Sequence, residues 1–94
     1  MSQLDEHVEH HHKQHAKVAV TFNGGDEEFE YRPEETVAKL LEEAKRRYHV
    51  ERQHLLGLFT EGGIELRDDQ TLEQAGVRPG DVLVLRQSTV KGGA

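Results

Sequence analysis

The sequence contains no cysteine and no tryptophan, and only one methionine and two prolines among its 94 residues. Without cysteine there can be no disulfide, no thiolate zinc site and no thiol nucleophile, which suits a reducing compartment. No apolar run approaches the ~20 residues needed to span a bilayer, and no apolar signal segment heads the chain. The expectation is a cytosolic protein that makes no use of a membrane. Aromatics are also scarce: Phe22, Phe29, Tyr31, Tyr48 and Phe59. The densest basic run, Lys45-Arg46-Arg47, is short, and the formal net charge is −6. A nucleic-acid binder would favour a basic stripe with stacking rings, so nucleic acid is not an expected partner. The length allows one small domain, expected to be a monomer.

What is present reads as alternating strands around one helix. Residues 1–15 have few apolar side chains and no period, so they read as a disordered, His-rich arm. In Lys17-Val18-Ala19-Val20-Thr21-Phe22 the apolar residues recur at period two, which marks a strand. Asn23-Gly24-Gly25-Asp26 is a turn signal, and Glu27-Glu28-Phe29-Glu30-Tyr31 alternates again to complete a hairpin. Pro33 interrupts the ladder and Thr36 is a helix N-cap. Val37, Leu40, Leu41, Ala44 and Tyr48 then share one face of a helix expected over 37–48.

Residues 55–59 read as a third strand and 64–66 as a short fourth. Thr71 to Gly76 reads as one capped helical turn. Arg78-Pro79-Gly80-Asp81 carries the type II turn pattern, and Val82-Leu83-Val84-Leu85-Arg86 is the last strand. The class is therefore α+β: a mixed sheet of four to five strands with one main helix across it, the first and last strands parallel. The ordered domain is expected over 16–87, followed by a flexible tail over 88–94.

No catalytic constellation stands out, so the chain is not read as an enzyme and no cofactor is expected. His49 and His54 lie near the helix end, and Ser2 and Ser88 lie in tail regions. His7, His10, His11, His12 and His15 are metal-ligand types, and His11 and His15 would be one turn apart on a helix. No carboxylate framework surrounds them, which favours an adventitious or purification-related arm over a metal site. On the last strand, if Val82 and Val84 face inward, alternation turns Leu83 and Leu85 outward. With Phe59 (or Leu55) and Gly57 of the third strand, and Arg86 as a basic neighbour, they would form an exposed apolar patch for a partner.

The ordered set of motifs resembles the ubiquitin family over about residues 17–93. The pieces are Pro33-Glu34-Glu35-Thr36-Val37, Gly62-Gly63 then Leu66, Asp69-Gln70-Thr71-Leu72, Val77-Arg78-Pro79-Gly80-Asp81-Val82, and Gly92-Gly93. The resemblance implies a ubiquitin-like β-grasp fold. It also implies a protein modifier, whose terminal glycine an activating enzyme adenylates and passes to a thiol. Gly92 and Gly93 would be the activation and conjugation residues, because a diglycine without side chains fits a narrow channel. Ala94 departs from the mature pattern, so the chain resembles a precursor cut between Gly93 and Ala94. Bacterial ubiquitin-like proteins encoded beside activating, conjugating and metallopeptidase enzymes have this form. The implied partners are an activating enzyme, a conjugating enzyme, a deubiquitinase-like peptidase and a target protein. Two alternatives stay open: a noncovalent ubiquitin-like interaction domain, and a sulfur carrier using a thiocarboxylate at Gly93.

Overall fold

A computed structural model describes residues 16–50 and 55–91. Its elements follow one another as β1 (Ala16–Phe22), β2 (Gly25–Tyr31), α1 (Val37–Arg47), β3 (Leu56–Thr60) and β4 (Val82–Gln87). The sheet order is β2-β1-β4-β3. β1 pairs antiparallel with β2 and parallel with β4, while β3 pairs antiparallel with β4. The parallel pair in the centre requires a crossover, and α1 lies within that long connection. Among the described residues, four strands and one helix make the mixed α+β sheet expected of a ubiquitin-like β-grasp fold.

Local chemistry explains each boundary. Asn23 and Gly24 both take positive φ, 53° and 84°, which a tight hairpin of this twist requires. Thr36 is extended (φ −82°, ψ 156°), and its hydroxyl accepts the Lys39 N–H, so α1 starts there. Lys45, Arg46 and Arg47 occupy the last turn of α1, where cations complement the helix dipole. Gly80 (φ 88°) completes the turn closed by the Asp81 N–H to Arg78 carbonyl bond of 3.0 Å.

The core lies between α1 and one face of the sheet. Val37, Leu40, Leu41 and Ala44 of α1 meet Val18 and Val20 of β1, Phe29 and Tyr31 of β2, Leu56 and Leu58 of β3, and Leu83 and Leu85 of β4. Tyr48 follows the helix and packs its ring on Phe22 at a centroid distance of 5.2 Å. Its hydroxyl is 2.7 Å from the Val20 carbonyl and 2.9 Å from that of Gly25. One aromatic thereby ties the helix end to the hairpin.

Three expectations are refined. The helix ends at Arg47, with Tyr48 as its C-cap. The segment 64–66 contributes a single bridge, Phe59 to Glu65, rather than a strand. Residues 71–76 form a turn whose start is a reciprocal capping box: the Gln74 N–H donates to Thr71 Oγ1 (3.0 Å) and the Thr71 N–H to Gln74 Oε1 (2.9 Å).

Candidate functional site: the uncovered sheet face and the tail root

β4 decides which side chains the uncovered face of the sheet presents. Leu83 and Leu85 are 2% exposed and belong to the core cluster, whereas Val82 and Val84 are half-buried on the other face. The expected outward orientation of Leu83 and Leu85 is therefore corrected. The strand is apolar at four successive positions, so polarity inside the run gives no phase. Beyond the run, the exposed Arg86 shares its face with Val84 and Val82, and the exposed Gln87 shares its face with Leu85 and Leu83, so the flanking residues give no phase either.

The uncovered face follows from the register. Val84 pairs with Phe59 on one side and Thr21 on the other, and Val82 pairs with Ala19. Arg86 pairs with Gly57 and sets its guanidinium 4.2 Å from the Phe59 ring centroid. Phe59 is only 1% exposed yet lies outside the core cluster. It forms the floor of this face under an arginine lid, a cation–π contact that keeps the ring out of water. Leu55, the alternative to Phe59, is exposed ahead of β3. The apolar content of the face is therefore Ala19, Val82, Val84 and the covered Phe59, with Arg86 beside them.

Gly57 has a different part from the one expected. It is buried, and the Glu65 carboxylate lies directly over its Cα, in the space a side chain would take. From there Glu65 reaches the root of the tail. Its Oε2 accepts the Ser88 hydroxyl at 2.6 Å, and its Oε1 accepts the Thr89 N–H at 2.9 Å and the Thr89 hydroxyl at 2.8 Å. Ser88 also donates its N–H to the Leu55 carbonyl (2.9 Å), and its Oγ accepts the N–H groups of Val90 (3.1 Å) and Lys91 (2.9 Å). Lys91 closes the arrangement, with Nζ 2.9 Å from the Leu56 carbonyl and 3.0 Å from Asp68 Oδ2. Residues 88–91 are thus bonded to the domain, where composition had predicted a free tail.

The same contacts set the charge state. Burial alone would raise the Glu65 pKa; the Ser88 and Thr89 hydrogen bonds and the Lys91 charge outweigh it and hold the carboxyl below its ordinary value. Glu65 was not anticipated, because nothing local marks it: its partners lie more than 20 residues away in the chain.

A family model described as the ubiquitin family matches residues 17–90. The chain belongs to the ubiquitin family. Among solved structures, it is similar to the ubiquitin of Caldiarchaeum subterraneum, with 30% identity and a TM-score of 0.67 over 83% of this chain and 99% of that one. A de novo design based on ubiquitin has 24% identity and a TM-score of 0.71, covering 86% of this chain and 98% of the design. The N-terminal ubiquitin-like domain of the 4931431F19Rik protein has 21% identity and a TM-score of 0.68, over 86% of this chain and 82% of that domain. These last two show the fold alone. A comparison with curated protein sequences finds no match.

The remaining candidates in this ubiquitin-family chain separate clearly. Gly92, Gly93 and Ala94 lie outside the described residues, as do His7, His10, His11, His12, His15 and His54. His49 is described; it takes the left-handed conformation (φ 59°) that ends α1. Among the described residues no group of three or more His, Cys, Asp or Glu side chains is placed to hold a metal ion, and no helix is long and apolar enough to cross a membrane.

Proposed function

We propose that this chain is a ubiquitin-like protein modifier, cut after Gly93 and activated at the Gly93 carboxylate. The observation that carries the reading is the Gly92-Gly93 pair, placed directly after a ubiquitin-family domain that the family model matches to residue 90. Hydrolysis of the Gly93–Ala94 bond by a peptidase frees the carboxylate. That carboxylate attacks the α-phosphorus of ATP on an activating enzyme, and pyrophosphate leaves. A thiol of the enzyme then displaces AMP to give a thioester. An amine of the target displaces the thiol, leaving an amide or isopeptide bond. The diglycine suits this route because it presents no side chain to a narrow channel. All the chemistry belongs to the partner enzymes. The domain supplies the handle, and its uncovered face, with Val82, Val84, Arg86 and the covered Phe59, supplies the surface to dock on.

The test uses the chain ending at Gly93, ATP and an activating enzyme of the family shown to be active on its own substrate. An adenylate or thioester on Gly93 is the expected product; its absence removes the modifier reading. A second reading is favoured by the uncovered face itself: a noncovalent interaction domain that needs no tail chemistry. Deleting residues 92–94 would then leave partner binding unchanged. A sulfur carrier is distinguished by mass, since its activated tail ends in a thiocarboxylate rather than an amide.

A further inference from the structure

Ser88, Thr89, Val90 and Lys91 immediately precede Gly92, and they are bent rather than extended. The bend is built on one hydroxyl, which donates to Glu65 and accepts from the N–H groups of Val90 and Lys91. The Glu65 carboxylate holds three donors from two successive tail residues. Hydrogen bonds to an ionised carboxylate are shorter and stronger than neutral ones. Access to Ser88 and Thr89 depends on Gly57. A Cβ built there lies 3.1 Å from Glu65 Cδ and closer still to Oε2, so only glycine leaves the carboxylate its place. At the far end of the bend, the Lys91 ammonium lies against the Leu56 carbonyl and Asp68.

We propose that Glu65 is the latch of a retracted tail: while it holds Ser88 and Thr89, residues 88–91 cannot enter an enzyme channel as an extended chain, and the latch must open before the diglycine is processed or adenylated. The geometry stands on its own; its consequence for activation rests on the modifier reading above. Gly57 is the cradle of the latch, and Lys91 its second point of attachment. The domain thereby sets how often its own terminus is offered to an enzyme.

The test separates the latch from the modifier chemistry. Trypsin cuts the Lys91–Gly92 bond only when the Lys91 ammonium is free and the flanking chain is extended in the protease site. Two single variants open the latch by different routes: Glu65→Ala removes the acceptor, and Gly57→Ala keeps it but fills its cradle. Both are expected to raise the Lys91–Gly92 cleavage rate about tenfold over the parent and to remove the exchange protection of the Thr89 amide, because local opening governs both readouts. Core amides such as that of Leu58 should keep their protection. If Gly57→Ala loosens β3 and lowers core protection, Glu65→Ala decides alone. Cleavage and Thr89 exchange within about twofold of the parent would overturn the latch. The activating enzyme supplies the second arm, with the chain ending at Gly93. Faster adenylate formation by the opened variants supports the proposal, and equal rates despite faster trypsin cleavage overturn the gating role. If parent and variants alike form no adenylate, the modifier reading falls while the trypsin result still decides the latch.

Discussion

Substitutions along β4 should alternate in cost, and the alternation tests the corrected parity. Leu83 and Leu85 are 2% exposed and pack with α1, while Val84 is half-buried on the uncovered face. Leu83→Ala removes three buried carbons, about 2.4 kcal/mol of transfer free energy at ~0.8 kcal/mol each. A cavity term adds to this, so the expected loss is about 3–5 kcal/mol. Val84→Ala removes two carbons that already touch water on one side, and should cost about 1 kcal/mol. For a domain of this size each kcal/mol moves the thermal midpoint by about 4–8 °C. Leu83→Ala should therefore melt at least ~12 °C below the parent, and Val84→Ala within ~8 °C of it. Urea titrations with unchanged m-values would establish that stability alone has moved. A Val84→Ala loss equal to or larger than that of Leu83→Ala would refute the inward placement of Leu83. It would also restore the leucines to the outer face.

Three further outcomes are expected. Tyr48→Phe removes the hydroxyl that binds the Val20 and Gly25 carbonyls but keeps the ring on Phe22; it should cost about 1 kcal/mol by urea denaturation, and an unchanged midpoint would show that water replaces the bond. His49 sits at φ 59°, so His49→Gly should be more stable than His49→Val by about 1–2 kcal/mol, and equal stability of the two would contradict the left-handed geometry. For Glu65 the folded pKa lies below the ordinary 4.5, so its contribution is present above that value and is lost as pH falls through the lowered folded value. Facing it are Lys91, with Asp68 paired to that lysine, and the Ser88 and Thr89 donors. The Thr89 amide should lose exchange protection on acidification below the ordinary carboxylate range, and Glu65→Gln should flatten that pH dependence.

Most of the fold was legible because each element carries its own local signal. Thr36 marks the helix start by its side-chain acceptor, Asn23-Gly24 the hairpin by tolerating positive φ, and Pro79-Gly80 the turn before β4. Val18 and Val20 alternate with Lys17 and Ala19, so β1 shows its inner face directly. Two features were not legible. β4 is apolar at Val82, Leu83, Val84 and Leu85, and a strand with no polar residue inside the run does not state which side faces the helix. The latch is invisible for a different reason. It joins Glu65 to Ser88 and Thr89 across more than 20 residues, and it exists because β3 and β4 are neighbours and Gly57 lacks a side chain. Composition marked residues 88–91 as tail because they have little apolar surface to bury; polar bonds to one carboxylate hold them instead.

The corrected parity changes what docking on the uncovered face can be worth. With Leu83 and Leu85 committed to the core, the accessible apolar surface comes from Ala19, Val82 and Val84, all half-buried. Phe59 adds a large ring only if Arg86 leaves it, and that departure gives up a contact worth about 0.5–1 kcal/mol at an exposed site. A partner that draws Arg86 aside with a carboxylate offsets this loss and gains the ring. A purely apolar partner does not. Under the proposed function, the partners that bind here should therefore combine an apolar anchor with an acidic residue. Their interfaces should fall at the small, transient end of the range, below about 1,200 Å². On that reading weak docking suits the proposed passage from peptidase to activating enzyme to target, because each partner would have to release the domain before the next could hold it. Arg86→Ala bears on this directly: it uncovers Phe59, so it should strengthen binding to an apolar surface and weaken it to one that presents a carboxylate.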